Sequence, residues 1–162
     1  MPDEADTLTA LAHRAKAHWG YPPEWMARWR DELTIGPDDI RAHEVWVAED
    51  DGRVVGMCAL ERGDAAWTLE HVWVDPESMG RGVGQALVTH ALQHATTAAP
   101  MDVHVVADPH ATTFYERLGW VRTGTVAAPM PGAPERALTR LAFPGGRSPS
   151  PFTPASGSCV WD

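Results

Sequence analysis

The spacing of apolar residues changes period along the chain and divides it into elements. Over residues 5–18, Leu8, Leu11, Ala12 and Ala15, with Trp19 just beyond, fall at helical intervals. "GYPP" at 20–23 breaks that pattern. A second helix is predicted over 23–33, with proline in its first turn and Trp25 and Trp29 four apart on one face. "TIGPDDI" reads as a turn with at most one short helical turn. The period then falls to two. "EVWVAED" and "RVVGMCAL" are strands around Asp51-Gly52, a pair that accepts the positive φ of a tight hairpin. "AWTLEHVWV" is a third, longer strand. Helical spacing returns at Leu87, Val88, Ala91, Leu92 and Ala95, and "DVHVVA" is again a strand. Asp108-Pro109 predicts a helix cap followed by proline at the first helical position, with Gly119 as the stop after Leu118. "WVRTGTV" and "RALTRLAF" are closing strands joined by the Pro/Gly loop "APMPGAPE".

Helices, then antiparallel strands, then strand-helix-strand-helix-strand, predict an α+β fold. The central strand-helix-strand requires a right-handed parallel crossover within a mixed, mostly antiparallel sheet that carries helices on both faces. Residues 1–143 are expected to form one domain. Residues 144–162, rich in Pro, Gly and Ser, are expected to be a weakly structured tail or one pinned by a few contacts. A length of 162 residues with 44% apolar composition suits a single core, in which most of the eight tryptophans serve as core or pocket wall. No apolar run approaches the roughly 20 residues of a membrane span. The acidic N-terminus lacks the plan of a signal peptide, so a cytoplasmic protein is expected. Cys58 and Cys159 form neither a metal pattern nor a disulfide framework. A formal charge of −9 argues against nucleic acid and leans weakly toward a cationic partner, although solubility alone accounts for such a charge in many proteins.

The densest signal is "VDPESMGRGVGQAL", where a strand hands over to a helix through Gly80, Gly82 and Gly84. Such a turn is suited to an anion. The first helical turn has unpaired N–H groups and the positive end of the dipole, and glycines let a phosphate approach the backbone. Arg81 adds a charge or points to solvent. There is no Lys-Ser/Thr for a P-loop, and the sixth positions counted from Gly80 and Gly82 are Gln85 and Leu87, so the dinucleotide fingerprint also fails.

"VWVDPESMGRGVGQALVTHAL" resembles the pyrophosphate-binding motif of the GNAT superfamily of acyl-CoA N-acyltransferases. Val74, Pro76, Gly82 and Gly84 match, while Met79 stands where the family carries Gln or Arg. "ADPHATTFYERLGW" resembles the family's second segment through Ala111, Phe114, Tyr115 and Gly119, with Asp108 for the frequent Asn and Trp120 for Phe. Together the resemblance spans roughly residues 45 to 126. "AKAHWGYPPEWMARWRDELTI" resembles the N-terminal helices of a small subgroup of that family.

The resemblance implies a central parallel strand pair that splays apart. Acetyl-CoA would enter there as acyl donor, its pantetheine along Val72, Trp73 and Val74 and its pyrophosphate on amides of Met79, Gly80, Arg81, Gly82, Val83, Gly84 and Gln85. Asp108, Ala111, Phe114 and Tyr115 would flank the arm. The implied reaction is direct attack of an amine on the thioester. Tyr115 is the expected acid toward the leaving thiolate and Glu70 the expected base, with His71, or no dedicated base, as alternatives. Strict alternation would put Glu70 on the face of Val72 and Val74, and His71 with Leu69 and Trp73; a bulge would upset that count. Trp19, Tyr21, Trp25 and Glu70 are expected walls of the acceptor site.

His90 and His94 have zinc-compatible spacing but no third ligand in sequence, so no metal is expected. His104 alternates with Val103 and Val105 as a packed or edge strand histidine, and no serine sits in a nucleophile setting. The expected function is therefore acetyl transfer from acetyl-CoA to an amine of a small molecule or peptide, with no nucleic-acid or membrane partner and a homodimer allowed. A non-catalytic acyl-CoA-binding module, or transfer of another acyl group, are the alternatives.

Overall fold

A computed structural model of the chain describes residues 4–151. Six strands form one mixed sheet: β1 (Glu44–Asp50), β2 (Arg53–Arg62), β3 (Trp67–Val74), β4 (Val103–Ala107), β5 (Val121–Ala127) and β6 (Ala137–Phe143), in the order β1-β2-β3-β4-β6-β5. Only β3 and β4 run parallel. Asp51 and Gly52, with φ of 49° and 75°, make the hairpin turn expected of them.

Helices α1 (Ala5–Ala17), α2 (Pro23–Arg28), α3 (Arg30–Leu33) and α4 (Pro37–Ala42) precede the sheet. Leu8, Leu11 and Ala12 of α1 join Trp29, Leu33 and Ile35 in a core against Val47, Met57 and Ala59. A second core holds α5 (Val83–Ala98) and α6 (Thr112–Arg117), with Leu87, Val88, Leu92 and Tyr115 packed on Cys58, Leu69, Val103 and Leu141. Residues on one strand, such as Met57 and Cys58, thus feed opposite cores, as a two-sided sheet requires.

Three local expectations need correction. The helix predicted over 23–33 is two helices that meet at Trp29, where ψ is 0°. This bend buries Trp29 and leaves Trp25 nearer the rim. Residues 37–42 form a full helix rather than a single turn, because Pro37 starts it and Asp39 returns its carboxylate to the Gly36 N–H at 2.7 Å. Helix α6 begins at Thr112, not at Pro109. The Asp108 carboxylate accepts the His110 N–H at 3.0 Å and its carbonyl accepts the Ala111 N–H at 2.8 Å, so 108–111 is a turn.

Strand β6 ends at Phe143, and the chain after it is pinned back at Gly145 and Arg147. Gly145 donates to Asp102 at 2.7 Å, and Arg147 lies on Phe143 and donates to the Gly119 carbonyl. Cys159 lies outside the described residues. Among the described residues no helix is long and apolar enough to cross a membrane.

Candidate active site

The parallel pair barely pairs. Trp67 lies opposite Val103 and Thr68 opposite His104, and there the register stops. Strand β3 stays bonded to β2 as far as Val74, and β4 to β6 as far as Ala107. Between them the inner edges of β3 and β4 diverge, leaving a stretch of peptide groups without a sheet partner. Backbone groups in that state call for water or a ligand.

A bulge sets what faces this gap. His71 pairs with Ala59 and Leu69 with Leu60, so Glu70 is the extra residue. Strict alternation consequently fails: Leu69 and Val72 share the core under α5, while Trp73 packs toward the N-terminal helices. His71 goes with Trp73, whose indole N–H donates to His71 Nδ1 at 3.1 Å. Burial, then the neighbouring His43, lowers the His71 pKa against a smaller opposing pull from Asp39. A neutral ring that accepts at Nδ1 carries its proton on Nε2, which makes His71 a donor toward its other side.

Glu70 is exposed and lies beside Glu61. Partial desolvation first, then the charge of Glu61 and a hydrogen bond shared with it, raise the Glu70 pKa; His43 opposes them. A carboxylate raised in this way takes up a proton more readily than a free one.

At the end of β3 the chain turns through Asp75 and a short 3-10 helix, Pro76–Ser78. Asp75 is buried, accepts the Glu77 N–H, and pairs with Arg14 and Arg53 at 3.0 Å each. Gly82 then adopts φ of 84° as the residue before α5, a conformation that disfavours any side chain. The first helical bond runs from the Ala86 N–H to the Gly82 carbonyl, so the N–H groups of Val83, Gly84 and Gln85 have no partner within the helix. A Cβ on Gly84 would come within 3.4 Å of Val74 and 3.5 Å of Phe114, which ties the helix start to both sides of the gap. Val72, Trp73, Val74, Met79, Val83 and Gln85 are all half-buried here. Arg81 turns to Asp50 at 3.2 Å, and Gly80 is exposed.

On the α6 side, Ala111 and Phe114 are half-buried, and Tyr115 is 5% exposed, edge-on to Phe114 and Trp120. Burial, and then Cys58, push the Tyr115 pKa up, so its phenol is protonated at neutral pH. Burial likewise pushes the Cys58 thiol up to about 12.

A second constellation closes the open end of the gap on the α1 side. Asp108, the residue after β4, accepts Lys16 Nζ at 2.6 Å and the Tyr21 hydroxyl at 2.8 Å. Arg136, the residue before β6, lies 3.5 Å from the same carboxylate. Lys16 sits 4.3 Å from the Trp29 ring centroid and Arg136 5.2 Å. Trp25 stacks on Tyr21 and donates its indole N–H to the Pro131 carbonyl at 3.0 Å, which fastens the 128–136 loop to α2. Trp19, 43% exposed, stacks flat on His110 at 4.6 Å. Burial, then the Asp108 hydrogen bond, raise the Tyr21 pKa to about 12. Desolvation would raise Asp108, but Lys16 and the His110 N–H outweigh it and hold the carboxyl low.

The structure thus brings Trp19, Tyr21 and Trp25, close together in the chain, against the distant turn of Asp108 and His110. Lys16, Asp75 and Arg14 were not legible as site residues, because nothing local marks a lone charge that pairs across 61 or 92 positions. Helix α1 reaches both sides of the gap, holding Asp75 beyond β3 through Arg14 and Asp108 beyond β4 through Lys16. His90 and His94 pack edge-on against Trp46, and among the described residues no group of three or more His, Cys, Asp or Glu is arranged to hold a metal.

A mixed sheet with a single parallel pair and helices on both faces is the fold this chain shares with solved N-acetyltransferases. The acetyltransferase (GNAT) domain model matches residues 41–122, and the chain belongs to that family. It is 28% identical over 132 residues to an uncharacterized N-acetyltransferase of Methanocaldococcus jannaschii, covering 73% of this chain and 57% of that protein. It is 29% identical over 103 residues to a peptidyl-lysine N-acetyltransferase of Escherichia coli, covering 63% and 67%. The chain spans about three-fifths of the length of the curated relatives it matches. A GCN5-related N-acetyltransferase from Rhodopseudomonas palustris shares the fold with a TM-score of 0.74 at 20% identity, over 89% of this chain and 91% of that one. An aminoglycoside 6'-N-acetyltransferase solved with coenzyme A superposes with a TM-score of 0.64 at 16% identity, over 89% and 92%.

Proposed function

We propose that this chain is an N-acetyltransferase that moves an acetyl group directly from acetyl-CoA to the amine of a small molecule or peptide. The observation that carries the reading is the unpaired stretch of β3 facing β4, ending at the bare N-terminus of α5. The peptide groups of Val72, Trp73 and Val74 suit the amides of a pantetheine arm, as an added strand would. The turn from Met79 to Gln85 suits the pyrophosphate. Family membership and the coenzyme A found with a structural neighbour support this donor.

In the proposed reaction the neutral amine attacks the thioester carbonyl carbon. A strand N–H near Val72 stabilises the oxyanion. Glu70, raised by its surroundings, takes the amine proton through water. Collapse of the intermediate breaks the C–S bond, and the thiolate takes a proton from Tyr115, which solvent then restores. The products are the N-acetylated amine and CoA, with no net proton consumed. His71, with Nδ1 occupied by Trp73, is the weaker base and the better donor.

Calorimetric titration with acetyl-CoA, followed by a thiol-release assay over an amine panel, tests the reading. Micromolar binding and amine-dependent CoA release are expected. An acetyl-CoA titration with no heat, and no coenzyme in native mass spectra, would leave the gap and glycine turn as structure only.

A further inference from the structure

We infer that the acceptor is an amine that also carries one carboxylate, of the amino-acid class, and that Arg136 and Lys16 receive that carboxylate. The inference rests on the acetyltransferase reading above and specifies its second substrate.

The aromatic walls of Tyr21, Trp25 and Trp29 look suited to an organic cation, and the net charge of −9 leans the same way. The structure fills that place from within. Lys16 and Arg136 already lie over these rings, at 4.3 and 5.2 Å from Trp29 and 5.1 and 6.0 Å from Tyr21. A cationic acceptor would have to displace them or sit beside them, against like charge. The faces that would attract an ammonium group are therefore taken.

The two cations are also short of acceptors. Their side chains are 12% and 10% exposed, which removes most of their water. One carboxylate, Asp108, stands against both, and its oxygens already accept Lys16, the Tyr21 hydroxyl and the His110 N–H. Arg136 carries five N–H donors. One reaches the Ala128 carbonyl at 3.3 Å, Asp108 lies 3.5 Å away, and the guanidinium borders the Tyr21 hydroxyl. Two largely buried cations against one anion leave a single positive charge with donors to spare. Buried charge in that state calls for a counter-charge, and a planar guanidinium matches a carboxylate in two parallel bonds. One surplus charge balances a monoanion; a phosphate, nearer two negative charges at pH 7, would overshoot it.

The position fits the reaction. Asp108 immediately follows β4 and Arg136 immediately precedes β6, so the pair stands at the open end of the gap, on the face of α1. A carboxylate held there leaves the amine end of the same molecule free to turn into the gap.

The test measures CoA release at saturating acetyl-CoA with matched acceptors: glycine, alanine and phenylalanine against their carboxamides, with O-phosphoethanolamine and spermidine alongside. The expected result is a kcat/KM at least tenfold higher for the acids than for their amides. Arg136→Gln is expected to raise the acid's KM tenfold or more and to bring the acid-to-amide ratio near one, with acetyl-CoA affinity within twofold by calorimetry. If Arg136→Gln fails to fold, Lys16→Met is expected to lower the same ratio. Amides, spermidine or O-phosphoethanolamine turned over as well as the acids would overturn the carboxylate assignment while leaving the acetyltransferase intact. So would an unchanged ratio in a folded variant, or acetyl-CoA binding with no acceptor in the panel consumed. Failure to bind acetyl-CoA at all would instead refute the function on which the inference rests.

Discussion

Glu70 occupies a position that ordinary strand geometry would not supply. The bulge makes it the unpaired residue opposite Ala59 and Leu60, out of step with both faces and beside Glu61. Partial desolvation, and then the charge of Glu61, raise its pKa and cost stability, because the charged form is favoured less in the fold than in the unfolded chain. Two opposite effects of Glu70→Gln are therefore expected. Turnover should fall about 100-fold, in line with loss of a general base, with acetyl-CoA affinity retained. Activity should recover in part at high pH, where the amine loses its proton unaided. Thermal stability near pH 7 should rise slightly, because the variant lacks the repulsion with Glu61. That gain should shrink as the pH falls through the raised Glu70 pKa and vanish once the wild-type carboxyl is protonated. A variant that keeps full turnover at neutral pH would remove Glu70 from the role of base, and one that loses stability would remove the repulsion with Glu61.

At the scale of elements, helix α5 is built as a receptor at one end. Its sixteen residues are led by Gly82 with a left-handed backbone, and its apolar stripe of Leu87, Val88, Ala91, Leu92 and Ala95 fixes it against the sheet. The dipole and the free N–H groups therefore stand at a set place beside Val74 and Phe114. Two substitutions at Gly82 separate backbone strain from charge. Gly82→Ala and Gly82→Asp carry a similar penalty for positive φ, on the order of 1 kcal/mol. Only the second adds a carboxylate where the pyrophosphate is proposed to rest. Acetyl-CoA titrations should show Gly82→Asp binding at least tenfold more weakly than Gly82→Ala; equal affinities would mean that no phosphate approaches this turn.

The whole molecule has to keep a sheet open in its middle. Helix α1 spans the diverging ends of the two strands, with Arg14 on Asp75 and Lys16 on Asp108. Asp75 is the more deeply buried anchor, with Arg53 as second partner. Desolvation would raise its pKa, but the Glu77 N–H, Arg14 and Arg53 together hold it below the ordinary aspartate value. A depressed carboxyl stabilises the fold above its unfolded pKa, about 3.9, and that contribution is lost as pH falls through the folded value. Both arginines are about half exposed, so Asp75→Asn is expected to cost only about 2 kcal/mol at pH 7. Denaturant melts should show this deficit shrinking as the pH is lowered below about 4. A deficit independent of pH would assign Asp75 a packing role rather than an ionic one.

The sequence by itself determined what is local. All six strands and the hairpin at Asp51-Gly52 follow from alternation and turn chemistry, and the glycine turn and the Phe114-Tyr115 segment follow from short motifs whose residues are neighbours in the chain. The bend at Trp29 was not legible, since propensity alone would have carried one helix through 23–33. Nor was the start of α6: the Asp108 carboxylate does accept the His110 N–H, but the bond closes a turn over 108–111 and the helix begins only at Thr112. Only the tertiary structure decided the face of each β3 residue, since one inserted residue reverses the parity of all that follow. The aromatic walls of the acceptor end were expected from the chain, but only the fold showed that α1, the turn after it, α2, the end of β4 and the start of β6 bring two cations, three aromatics and one carboxylate together. A charge has no local pattern; its meaning depends on what the fold buries beside it.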